Sequence, residues 1–222
     1  MADQVFLVED YPVVRLGMAT LLDAEMALDV CGEASTAAGA LEQIPEAEPD
    51  LVIVDLSLEE GSGLELIKDA QTRWPDVSLL VVSMHDETLY ALRALRAGAQ
   101  GYVMKERATD ILVDAVRQVL GGQIYVSTEI KEKLIQNLHG HNVLEGSPLE
   151  SLSDRELQVF KQLGHGRKTS EIAEQLHLSP KTVYSYQSRI REKLGIDSTP
   201  KLRQRAAVWV ECCDSELVDA SA

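Results

Sequence analysis

The chain has 222 residues, of which 45% are hydrophobic and 26% charged, enough apolar mass for real cores and too much for a disordered or collagen-like chain. Its formal net charge is −15, which taken alone argues against a nucleic-acid partner. The strand-like apolar runs 51–54 and 79–82 fall far short of the roughly 20 residues that span a bilayer, so no membrane partner is expected.

The N-terminal Met-Ala-Asp-Gln-Val-Phe-Leu-Val lacks the basic start and long apolar stretch of a secretory leader, so a cytoplasmic chain is expected. Cys31, Cys212 and Cys213 form no spaced disulfide framework and fit that compartment. Charge is divided along the chain: residues 1–126 carry a net −14, whereas 151–205 carry +5. An average of −15 therefore hides a modestly basic module joined to an acidic one.

In chain order, residues 4–8, 28–33, 51–54, 79–83 and 101–104 are short, rich in Val, Ile and Leu, and bounded by polar or turn residues; each is predicted to be a strand. Helical patterns separate them, the clearest being the ladder of Ile111, Leu112, Ala115, Val116, Val119 and Leu120. Strand and helix alternating five times predict an α/β doubly wound, five-stranded parallel sheet over residues 1–122. A further helix is predicted over 128–138, inside a connecting segment 123–150 whose linker, with His139 and His141, lies at 139–150.

Ser153-Asp-Arg-Glu156 is a capping box that starts a second, small all-α domain over 151–213. Its first helix carries Leu157, Phe160 and Leu163 inward, and the next carries Ile172, Ala173 and Leu176. Ser179 and Pro180 open a third, and a fourth runs from about Thr199 to Cys212. The acidic tail 214–222 is expected to be disordered.

In a doubly wound sheet, ligands bind beyond the carboxyl ends of the strands. There the sequence collects Glu9 and Asp10, Asp55, Ser83 and Lys105 from separate segments. Three carboxylates repel one another unless a cation sits among them, and Mg²⁺ suits such a set. Asp55 is then a candidate nucleophile toward a phosphoryl donor, with Lys105 and Ser83 touching the transferred oxygens.

In the second domain, a helical projection of the third helix puts Val183, Tyr186, Ile190 and Leu194 on one side. The opposite side presents Lys181, Ser185, Ser188 and Glu192, flanked by Tyr184 and Arg189, a face suited to the major groove of DNA. Lys168, Thr169, Ser170, Thr182, Lys201, Arg203 and Arg205 are candidate phosphate contacts.

These motifs carry a family resemblance. Glu9-Asp10, Val-Asp55-Leu with Gly63 eight residues on, Ser83-Met-His-Asp86 and Gly98-Ala-Gln-Gly-Tyr-Val-Met-Lys105 resemble the receiver domain of two-component response regulators. Leu152-Ser-Asp-Arg-Glu-Leu157, Glu171-Ile-Ala-Glu-Gln-Leu176, Leu178-Ser-Pro-Lys-Thr-Val183 and Ile190-Arg-Glu-Lys-Leu-Gly195 resemble the LuxR-type helix-turn-helix. Together they resemble the NarL/FixJ class.

The resemblance implies a flavodoxin-like receiver with Asp55 as phosphoacceptor and Ser83, Tyr102 and Lys105 as switch and phosphate-contacting residues. It implies Glu9, Asp10, Asp55 and the Ser57 carbonyl as Mg²⁺ ligands, and Leu202 and Trp209 on a helix that supplies a dimer contact. Its implied partners are promoter DNA, a sensor histidine kinase, a second copy of the chain and RNA polymerase. On phosphorylation Ser83 and Tyr102 would move toward the acceptor site.

The sequence departs from the family pattern in places. Glu9 replaces a more usual Asp, Glu59 and Glu60 add charge beside the acceptor, and Tyr184 stands where Lys is common. Two other readings stay open: constitutive DNA binding by a degenerate receiver, and a Mg²⁺-dependent aspartyl-phosphate enzyme.

Overall fold

The structure is a computed structural model that describes residues 2–58, 60–138, 148–176 and 178–219. Most of the expected linker, with His139 and His141, therefore lies outside the described residues, as do Glu59 and the side chains of Cys212 and Cys213. The chain divides into two compact units, residues 1–135 and 136–222.

In the first unit, β1 (Asp3–Val8), β2 (Leu28–Ala34), β3 (Leu51–Val54), β4 (Ser78–Ser83) and β5 (Gly101–Met104) pair in the order β2-β1-β3-β4-β5, all parallel. This is the expected flavodoxin-like sheet. The intervening helices are α1 (Pro12–Asp23), α2 (Ala37–Ala47), α3 (Gly63–Arg73), α4 (Glu87–Ala97) and α5 (Lys105–Leu120). Every residue of β3 is fully buried, because helices cover both faces of the sheet and leave the strand no polar side. Side chains from Thr36, Ser62 and Asp86 accept from backbone N–H groups at the starts of α2, α3 and α4.

The first unit extends past residue 122, into the segment expected to connect the domains. Tyr125 bridges to Gly101, its carbonyl accepting from Tyr102 N–H at 2.8 Å and its N–H donating to the Gln100 carbonyl at 3.0 Å. The outer backbone groups of β5 need partners, and this segment supplies them. Val126 and Ile130 are buried, and Ser127 N–H, just before α6 (Thr128–Leu138), donates to Glu87 Oε1 at 2.7 Å.

The second unit contains a short 3₁₀ turn (Pro148–Ser151) and the helices α7 (Asp154–Gly164), α8 (Thr169–Gln175), α9 (Pro180–Leu194) and α10 (Thr199–Asp219). The capping box at Ser153 forms in both directions, with Ser153 N–H donating to Glu156 Oε2 at 2.7 Å. Helix α10 continues beyond Cys212 to Asp219, so most of the tail expected to be disordered is helical. Residues 206–219 contain no Gly or Pro to stop it.

Leu202, expected at a dimer contact, is fully buried with Ala206 in this unit's own core. Close approach of α10 to α7 explains that placement: a Cβ at Gly164 would lie 2.5 Å from the Ala206 carbonyl oxygen. Trp209 is half-buried, its ring 5.6 Å from that of Phe160.

Glu156 is buried and pairs with Lys193 at 2.6 Å, tying the start of α7 to the end of α9. Burial works to raise its pKa, but Lys193 and the Ser153 N–H outweigh it and hold the carboxyl below its ordinary 4.5. A carboxyl whose folded pKa is depressed contributes stability above its unfolded value, and that contribution disappears as pH falls through the folded pKa. Glu156→Gln is therefore expected to cost about 1–2 kcal/mol at neutral pH, Lys193 being partly exposed. The difference between Gln and wild type should shrink below pH 4.5, as measured by urea unfolding across that range.

Candidate functional site

Parallel register sets the carboxyl ends of the strands side by side. Val8 pairs with Val54, Val54 with Val81, and Ser83 with Met104, so the next residues of each strand share one edge. Glu9 and Asp10 follow β1, Asp55 follows β3, Ser83 ends β4 and Lys105 opens α5 directly after β5. The strand order turns back between β1 and β3, where a doubly wound sheet opens a ligand crevice.

Glu9, Asp55 and Ser83 are at most 1% exposed, and one carboxylate oxygen each from Glu9, Asp10 and Asp55 lies within 4.8 Å of the others. Lys105 Nζ stands 2.7 Å from Glu9 Oε2 and 2.9 Å from Asp55 Oδ2. Burial raises the Glu9 pKa and the Asp55 charge adds to the rise, opposed by Lys105. Burial works to lower the Lys105 pKa, but Asp55 and Glu9 prevail and keep the ammonium above its ordinary value. Asp55 Oδ1 is buried without a hydrogen-bond partner among the described residues. All-oxygen donors, with more negative charge than one ammonium offsets, fit a hard divalent cation.

The neighbouring expected residues are present, with one difference in posture. Ser83 Oγ accepts from His85 N–H at 3.2 Å. Tyr102 is fully buried, and its hydroxyl donates to the His85 carbonyl at 2.7 Å. Its ring therefore already points inward, so the expected movement toward the acceptor site has no outward starting point. Burial pushes the phenol pKa well above its ordinary value, opposed by a hydrogen bond with Ser83 and aided by Tyr90, Asp55 and Glu87 nearby. Ser57 Oγ lies 3.1 Å from His85 Nε2, and the His85 ring stacks on Tyr90 at 4.4 Å. Sequence reasoning missed Tyr90, since an aromatic at a helical core position carries no signal of what it stacks on.

In the second unit, Lys168, Lys181, Tyr184, Ser185, Ser188 and Arg189 are exposed, and Thr169 and Thr182 are half-buried. Val183, Ile190 and Leu194 face inward as the helical projection predicts, and Tyr186 is half-buried. Gln187, which the projection did not single out, is also buried, its Nε2 donating to Thr169 Oγ1 at 3.2 Å. Ser179 caps α9 through Thr182 N–H. Helix α9, with Lys168 just ahead of α8, thus presents a polar face carrying Lys181 and Arg189 on one side of a packed core.

Comparison with known proteins agrees with both units. Residues 5–117 match the response regulator receiver domain, and 150–206 match the bacterial regulatory proteins of the luxR family. The chain is 36% identical over 206 residues to the DNA-binding transcriptional activator DevR/DosR of Mycobacterium tuberculosis, covering 93% of each chain. It is 35% identical to the response regulator UvrY of Escherichia coli, covering 97% of this chain and 98% of that one. A solved LuxR-family response regulator from Aurantimonas is 31% identical, with a TM-score of 0.57, and covers 62% of this chain and 98% of its own. Salmonella enterica RcsB bound to promoter P1flhDC in the presence of phosphomimetic BeF₃⁻ shares the fold, with a TM-score of 0.62 at 24% identity, covering 94% of this chain and 100% of that one. An acidic pocket on a doubly wound sheet, a helix-turn-helix unit later in the chain and full-length relatives of the same arrangement identify the chain as a response regulator of the NarL/FixJ class.

Proposed function

We propose that transfer of a phosphoryl group from a sensor histidine kinase to Asp55 controls dimerisation of this cytoplasmic regulator and its binding to promoter DNA, where RNA polymerase is a further partner. The observation that carries this reading is Asp55 itself: one carboxylate oxygen held by Lys105 and the other buried with no partner among the described residues. Glu9, Asp10, Asp55 and the Ser57 carbonyl would hold Mg²⁺. Bound there, the ion supplies a Lewis acid that offsets charge on the transferring oxygens.

Asp55 attacks phosphorus while the bond to the donor imidazole breaks. Lys105 Nζ, now between two carboxylates, turns part of its hydrogen bonding to the new phosphoryl oxygens. Ser83 Oγ accepts from His85 N–H and also hydrogen-bonds the Tyr102 hydroxyl, from which its O–H would turn to a phosphoryl oxygen. Tyr102 holds the His85 carbonyl, one residue before the Asp86 cap of α4, so a shift of the β4–α4 loop would reach the helices that other domains or copies contact. The phosphoryl group biases this switch only by its preference for one state.

Lys181, Tyr184, Ser185, Ser188 and Arg189 then face the major groove, and Lys168, Thr169 and Thr182 meet phosphates. Half-buried Trp209 would contribute to self-association through its exposed edge. Position 57 is Ser rather than an acid, which leaves no general acid there for turnover of phosphoesters and favours the regulator over the enzyme.

The test is incubation with acetyl phosphate. With Mg²⁺, the chain is expected to gain a phosphoryl group, sediment as a dimer and bind duplex DNA more tightly; EDTA should block all three. Tight binding that is indifferent to the adduct would instead support a constitutive regulator.

A further inference from the structure

We infer that Gln187 is a positioning residue for DNA binding, orienting the Thr169 hydroxyl as a donor to a DNA phosphate; the inference rests on the DNA-binding reading of the second unit. Gln187 lies on the inner stripe of α9, between Val183 and Ile190, and is 3% exposed. Packing alone would favour an aliphatic residue there, since a buried amide is costly unless it is hydrogen-bonded. Its Nε2 donates to Thr169 Oγ1, 3.2 Å away and 18 residues earlier in the chain.

That bond fixes which way the hydroxyl works. A Thr hydroxyl has one hydrogen to give and two lone pairs to receive with. With one lone pair taken by the amide, the O–H remains a donor and is polarised by the bond it accepts. Among the described residues it donates to none, and Thr169 is half-exposed beside exposed Lys168. An anionic oxygen brought alongside Lys168 is the acceptor this arrangement fits, and a phosphate of the DNA backbone is such an oxygen. Gln187 never touches the DNA in this scheme. Because neither group is charged, their contribution adds affinity without releasing counterions.

The full-length protein, treated with acetyl phosphate and Mg²⁺, can be titrated against a random-sequence duplex by fluorescence anisotropy over a range of salt. Gln187→Leu and Thr169→Val are each expected to weaken binding about fivefold, the value of one hydrogen bond. The double variant should be no weaker than either single one, and the slope of log affinity against log salt should not change. Thr169→Ser, which keeps the hydroxyl, should restore binding. Thermal unfolding checks that Gln187→Leu is folded, and Gln187→Met provides a second apolar variant of similar length. Wild-type affinity in folded Gln187→Leu or Gln187→Met, or additive losses in the double variant, overturns the inference. Lys181→Ala separates this from the reading beneath it: if that variant also binds normally, or wild type does not bind duplex at all, the DNA-reading role of α9 itself is wrong.

Discussion

Asp55→Asn incubated with acetyl phosphate and Mg²⁺ is expected to keep its unmodified mass, while the wild-type chain gains one phosphoryl group. The substitution changes almost no volume and leaves Lys105 paired with Glu9 at 2.7 Å, so the pocket should stay assembled. What it removes is the nucleophile, because an amide oxygen carries no charge to direct at phosphorus. It also takes one negative charge out of a buried cluster that one ammonium only partly balances. In metal-free buffer, Asp55→Asn should therefore be at least as stable as wild type, by up to about 1 kcal/mol in urea unfolding. A variant that still acquires the adduct would move the acceptor to another residue.

Gly63→Ala should be costly for a different reason. A Cβ on Gly63 would lie 2.2 Å from the Asp55 carbonyl oxygen and 2.7 Å from Leu56 Cα. Both neighbours are backbone atoms, so no rotamer change makes room, and either α3 or the acceptor loop must move. A loss of about 3 kcal/mol is expected, the upper end for overpacking. The surviving folded population should accept phosphoryl groups more slowly, because the displaced atoms belong to the acceptor itself. Gly17→Ala is the matching control: nothing lies within 4 Å of its Cβ position, on the exposed side of α1. Replacing that glycine should add about 0.5–1 kcal/mol. Equal unfolding midpoints for Gly63→Ala and wild type would refute the steric account.

Most of the sheet was legible because its strands are buried runs with charged ends; 51–54 and 101–104 match their predicted limits. The acidic pocket was legible for the same reason, since each member directly follows or ends a strand. Helix α9 was legible through its Ser-Pro start and its inward stripe. Tertiary contacts between distant residues were not. Leu202 gives no local sign of whether its apolar side chain enters its own unit's core or meets a second copy, and only the packed structure shows it buried. The inward posture of Tyr102 depends on the His85 carbonyl, 17 residues away. Gln187 carried no such sign either, because its partner sits on another helix.

Tyr125 has an effect beyond closing a local gap. By occupying Tyr102 N–H and the Gln100 carbonyl, it withdraws those two groups of the β5 rim from pairing with a foreign strand. The opposite rim, β2, carries exposed Asp29, whose charge disfavours pairing with a second copy's edge, while exposed Glu33 is held by Arg15 at 2.9 Å. Edge-to-edge pairing of two receivers is thereby disfavoured at both rims of the sheet.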